Sequence, residues 1–197
     1  MNHMNHIMVD IETLDTQQSA VVLSIGAVAF DPHTKELGET FYVEFTDDLE
    51  SQQIKGRTIS ADTVRWWMMQ SDAAKVVFAK RDEDDLIVKG KINVASRLST
   101  EDGLNEFSHF VARNGGKKVE LWGNGADFDN VIIGSLYDSF DMVKPWSYGK
   151  NRCYRTMKRI FGENVPLVRQ GVHHNGLDDA ITQAVHLQEI FACVTRR

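Results

Sequence analysis

Three apolar runs crowded into the first 45 residues constrain this chain more than any other feature. Ile7–Glu12 has the length and composition of a buried strand, and Val21–Phe30 (VVLSIGAVAF) is a second. Phe41–Phe45 alternates like a third strand, after a turn at Asp31-Pro32-His33. Three consecutive strands with short connections predict an antiparallel meander.

The periodicity then changes. Ser60 is a good N-cap for a helix through Asp62–Gln70, and Thr100–Asn114 reads as a helix stopped by Gly115-Gly116. Between them, Asp72–Ser99 is charge-rich around Asp82–Asp85 and reads as an inserted, partly helical excursion. Val119–Trp122 is a fourth strand, followed by helices at Phe128–Tyr137 and Cys153–Phe161. A last helix, Leu177–Val194, puts Leu177, Ile181, Ala184, Leu187, Phe191 and Val194 on one stripe. This order predicts an α/β fold: a mixed sheet of three antiparallel strands and then parallel ones, flanked by helices.

With 197 residues, residues 7–197 are expected to form one domain behind a polar tail at 1–6, with Met4 a candidate second start. No run approaches the roughly 18 apolar residues of a membrane span. MNHMNHIMVDIE lacks the apolar block of a signal peptide, so Cys153 and Cys193 are expected to be reduced thiols in a cytoplasmic protein. The net charge of −6 argues against a nucleic-acid partner. Its distribution argues the other way: Lys144, Lys150, Arg152, Arg155, Lys158, Arg159 and Arg169 face one acid, Glu163, in that stretch. Such a segment either grips a phosphate backbone or is a solvated helix face.

Three elements carry candidate chemistry. In Val9-Asp10-Ile11-Glu12-Thr13, a strand burying Ile7, Val9 and Ile11 turns Asp10 and Glu12 together to its other face. Two such carboxylates are costly near a core unless a cation lies between them; a solvent-facing sheet edge is the alternative. In Leu121–Asn130, a strand ends in a glycine-punctuated loop bearing Asp127 and Asp129, at a helix start where capping would also explain them. Gly123-Asn124-Gly125 is no dinucleotide loop, because the third glycine position is Phe128. In Val172–Ala180, His173 and His174 precede Asp178 and Asp179 in a first helical turn, where acids also favour the helix dipole.

Taken in this order, D-x-E-T, G-N-x-x-x-x-D and H-x-x-x-x-D-A resemble the DEDDh (DnaQ-like) 3′→5′ exonucleases of ribonuclease-H-like fold. The D-I-E-T-L and L-W-G-N-G-A-x-F-D-N blocks, with Trp66-Trp67 and Arg152–Met157, look most like phage and prophage members related to T4 exonuclease A and exodeoxyribonuclease-VIII-like proteins. The family's asparagine five residues before the catalytic aspartate, and an aromatic just before it, select Asp129 over Asp127. Its small residue and alanine select His174 and Asp179, with Gly176 standing where alanine is usual, a departure expected to loosen the loop aiming His174.

The resemblance implies two divalent cations, Mg²⁺ or Mn²⁺, held by Asp10, Glu12, Asp129 and Asp179, with His174 as general base. It further implies release of nucleoside 5′-monophosphates from the 3′ end of single-stranded DNA, RNA or both. Thr13 and Leu14 are expected at the terminal nucleotide, Asn124 and one of the two tryptophans, with Trp66 the candidate, near the strand, and Arg152 and Arg155 on phosphates. An RNA-only trimming enzyme, a phosphomonoesterase and a catalytically silent nucleic-acid-binding module are the alternatives. The oligomeric state is left open, a homodimer included.

Overall fold

The computed structural model describes residues 4–79 and 96–195. Six strands form one sheet: β1 (His6–Thr13), β2 (Val22–Phe30), β3 (Leu37–Glu44), β4 (Ser96–Arg97), β5 (Glu120–Gly123) and β6 (Asn151–Cys153). Their spatial order is β4-β3-β2-β1-β5-β6. β1, β2 and β3 pair antiparallel, while β4, β5 and β6 add in parallel. The mixed ribonuclease-H-like sheet expected from element order is therefore present, with two strands more than the sequence displayed. β4 has two residues and β6 is Asn-Arg-Cys, so neither carries an apolar run. Most of the excursion read at 72–99 lies outside the described residues; its ends hold a 3₁₀ turn, Ala74–Phe78, and β4.

Among the described residues six helices cover the sheet: α1 (Leu49–Ile54), α2 (Ala61–Met68), α3 (Thr100–Arg113), α4 (Asp129–Ser139), α5 (Tyr154–Phe161) and α6 (Gly176–Val194). Ser60 and Ser99 cap α2 and α3 through their hydroxyls. The short α1 has no apolar periodicity. Its Gln52 amide instead bonds both Val22 N and Val22 O at 2.9 Å, completing the backbone pairing at the head of β2.

Because β1 and β2 are central, both faces are buried. Ile7, Val9 and Ile11 pack with Leu104, Phe107 and Phe110 of α3 and Ile132, Ile133 and Leu136 of α4. Met8, Val28, Phe30 and Trp122 pack with Tyr154 of α5 and Ala180, Ala184 and Leu187 of α6. Asp10 and Glu12 thus sit on the covered face beneath α6, not at a solvent-facing edge. The inner stripe of α6 is Leu177, Ala180, Ala184, Leu187 and Ile190, whereas Val194 is exposed. Among the described residues no helix is long and apolar enough to cross a membrane.

One contact sets how closely α6 approaches. A Cβ on Gly26 of β2 would lie 2.1 Å from Gly176 C and Leu177 N. A Cβ on Gly176 would lie 3.1 Å from Asp10 O. Two glycines thus let the start of α6 rest on the sheet backbone beside Asp10. The glycine at 176 serves this close approach.

Candidate active site

The four carboxylates arrive on three supports. Asp10 and Glu12 project from β1, which bulges between Glu12 and Thr13. Asp129 opens α4 directly after the loop leaving β5, and Asp179 lies in the first turn of α6. Asp10, Glu12 and Asp179 offer oxygens that all lie within 4.8 Å of one another. Two unit charges at that spacing repel by roughly 3 kcal/mol at an effective dielectric near 20, more than the ~1 kcal/mol an exposed ion pair returns. Burial, then the charges of Asp129, Glu12 and Asp179, holds the Asp10 carboxyl well above its ordinary range. Burial, then Asp179 and Asp129, pushes Glu12 up to about 8. Burial pushes Asp129 to about 7, against nearby backbone N–H groups and Arg155.

A divalent cation would relieve this crowding, and the donors fit one. Asp129 Oδ2 is buried without a hydrogen-bond partner, the ligands are all oxygens, and Gln183 Nε2 already orients Asp10 Oδ1 at 2.7 Å. Oxygen-only ligands suit Mg²⁺ or Mn²⁺. Asp127 is exposed, whereas Asp129 is 2% exposed.

The segment before α6 is laced onto the helix. Gln170 N donates to Thr182 Oγ1, Val172 N to Asp178 Oδ2, and His174 N to Asp179 Oδ2. Asn175 Oδ1 caps α6 by accepting from Asp178 N, which frees Asp179 to face the site. His174 adopts φ +63°, a left-handed backbone that costs about 1 kcal/mol or more. Its ring stands edge-on to Trp66 at 4.8 Å and lies 3.8 Å from the His173 ring. Burial, then His173, lowers its pKa, which favours the neutral imidazole a base requires. Both histidines have nitrogens within 4.8 Å of Asp179 oxygens, so position alone does not separate them.

These groups line a cavity of about 600 Å³. Thr13, Asn124, Trp66 and Arg155 line it too. Thr13 Oγ1 donates to Asp15 O, and Arg155 Nη2 donates to Asn124 O at 2.6 Å. Trp66 is 38% exposed, while Trp67 is buried and donates its indole N–H to Thr13 O. Leu14 is buried with Val21, Leu23 and Trp67 and does not line the cavity. Arg152 lies on β6, paired with Glu120, also outside the cavity lining. It therefore does not share a helix face with Arg155 and Arg159. Gln183 was not read from the sequence. A polar residue four positions beyond Asp179 on one helix face was the available signal. Arg169, read only as part of the basic stretch, pairs with Asp179.

The mixed sheet and the acids gathered from β1, α4 and α6 match the arrangement expected of the DEDDh type. A family model of the 3′–5′ exoribonuclease Rv2179c-like domain matches residues 5–191, and the chain belongs to that family. The chain is 32% identical over 138 residues to an exodeoxyribonuclease of Enterobacteria phage T4, covering 66% of this chain and 54% of that one. It thus spans about half the length of the curated relative. In fold it is similar to the nuclease domain of 3′hExo, a DEDDh family member bound to rAMP, with TM-score 0.56 and 13% identity over 95% and 92% of the two chains. It is also similar to a full-length 3′-exonuclease, with TM-score 0.52 and 13% identity over 96% and 82%.

Proposed function

We propose that this chain uses two divalent cations, Mg²⁺ or Mn²⁺, to cleave the terminal phosphodiester at the 3′ end of single-stranded DNA, RNA or both. The products would be nucleoside 5′-monophosphates. The observation that carries this reading is the buried convergence of Asp10, Glu12, Asp129 and Asp179, with one Asp129 oxygen left without a partner. Bound there, the cations would supply Lewis-acid polarisation of the phosphate and a more acidic attacking water. Asp10, Glu12 and Asp179 would hold one side of the scissile phosphate, and Asp129 the other. His174, poised neutral, would take the proton of the attacking water. Thr13 and Trp66 would meet the terminal nucleotide, Trp66 by stacking on a base. Asn124 and Arg155, which line the same cavity, would steady the strand. Free Cys153 and Cys193 suit a cytoplasmic setting.

The family model carries an exoribonuclease description and the phage relative an exodeoxyribonuclease one, so DNA and RNA must be compared directly. End-labelled DNA and RNA oligonucleotides, single- and double-stranded, should be shortened from the 3′ end with Mg²⁺ or Mn²⁺ and left intact with EDTA. Asp10→Ala should abolish cleavage while the chain still melts cooperatively. Cleavage that survives EDTA, or wild-type rates in Asp10→Ala, would sink the two-cation reading.

A further inference from the structure

Arg169 spends its charge inside the site, on one of the clustered carboxylates. Its guanidinium pairs with Asp179 Oδ1, and its Nη2 donates to Val172 O at 3.1 Å. Its Nε is buried and has no acceptor. Among the described residues it is the one cation in an ion pair with the four carboxylates. It also lines a second cavity of about 440 Å³ with Lys158 and Leu167. That cavity shares Asn124, His173, Asp179 and Gln183 with the catalytic one, so the two adjoin.

We propose that Arg169 is an exchangeable counter-ion, pairing with Asp179 while the carboxylates hold no divalent cation and with a nucleotide phosphate once they do. The proposal rests on the two-cation reading above. A divalent ion among several carboxylates outcompetes a single guanidinium for the Asp179 oxygen, and the guanidinium is then released into the adjoining cavity. Its planar fork matches phosphate as well as carboxylate. The N–H left unspent at Nε is the donor that a phosphate oxygen would accept. The consequence is linkage: cation and nucleotide phosphate each improve the other's binding, because each removes a competitor.

The test is Mn²⁺ titration of the full chain, followed by electron paramagnetic resonance of the free ion, with and without saturating 5′-AMP. Arg169→Met should bind Mn²⁺ alone roughly five- to tenfold more tightly than wild type and lose most of the enhancement that 5′-AMP gives wild type. Lys158→Met removes the same charge from the same cavity without touching Asp179, and its Mn²⁺ affinity should stay within about twofold of wild type. Arg169→Lys keeps the charge on a slimmer head and should fall between wild type and Arg169→Met, which guards against misfolding of the methionine variant. Equal tightening in Lys158→Met and Arg169→Met would reduce the effect to the general field and overturn the exchange. Unchanged or weaker Mn²⁺ binding by Arg169→Met would also overturn it, leaving the two-cation reading intact. No Mn²⁺ binding by wild type would refute both.

Discussion

Substituting Gly26 by alanine separates two ideas about the site: that its carboxylates need only be present, or that they must be held at one spacing. The added methyl would fall 2.1 Å from backbone atoms of Gly176 and Leu177. Carbon contacts settle at about 3.5–4.0 Å, so backbone must retreat by more than about 1 Å. No flexible side chain can absorb that movement, because the clashing atoms are the first peptide of α6. α6 carries Asp179, and its first turn anchors the His174 backbone. Overpacking of this kind costs about 1–3 kcal/mol. For a chain of this length that lowers the melting temperature by roughly 2–12 °C. A misplacement near 1 Å lowers turnover by about 10²-fold. The assay is single-turnover cleavage of a 3′-labelled oligonucleotide at saturating Mg²⁺, beside a thermal melt. A folded Gly26→Ala protein with wild-type turnover would refute the claim that the glycine contact sets the active geometry.

Other expectations are as direct. In EDTA, Glu12 titrates near 8 and Asp129 near 7 in the folded chain, against about 4 when unfolded. Between those limits the folded state binds more protons, so metal-free stability should fall as pH rises from about 4 to 8. Added Mg²⁺ should flatten that slope in thermal melts; a metal-free protein more stable at pH 8 than at pH 6 would contradict it. His174→Ala should lower turnover by about 10²–10⁴-fold and His173→Ala far less. Comparable losses in both would show that the base is assigned wrongly. Trp66→Ala should leave the melt near wild type and weaken oligonucleotide binding by about 1–3 kcal/mol. Trp67→Ala should instead cost about 3–5 kcal/mol of stability. A calorimetric comparison that reversed these roles would refute the placement of the two indoles.

The sequence exposed what depends on periodicity and lost what depends on long-range contact. The meander, α3 and α6 were legible because alternation and the helical stripe run for many residues. β4 and β6 were not, because strands of two and three residues are held by neighbours. The convergence of Asp10, Glu12, Asp129 and Asp179 was visible only through motif order, since nothing local relates residue 10 to residue 179. Alternation put Asp10 and Glu12 on one face, but could not say that α6 covers it. Which indole is exposed was equally hidden, because adjacent helix positions have identical local chemistry. Arg169 escaped notice as one cation among seven, and its pairing with Asp179 appears only when the chain is folded back.

The wide separation of the four carboxylates along the chain has a consequence for biosynthesis. A ribosome works on the very class of polymer that an RNA-trimming enzyme would attack. A growing chain that has displayed β1 and α4 already carries Asp10, Glu12 and Asp129, yet lacks Asp179 and His174 until the start of α6 has emerged and settled on Gly26. On the proposed two-cation reading, the order of synthesis would therefore act as a safety catch. Incomplete products, including those stalled or clipped before residue 174, would present an acidic notch without Asp179 or His174.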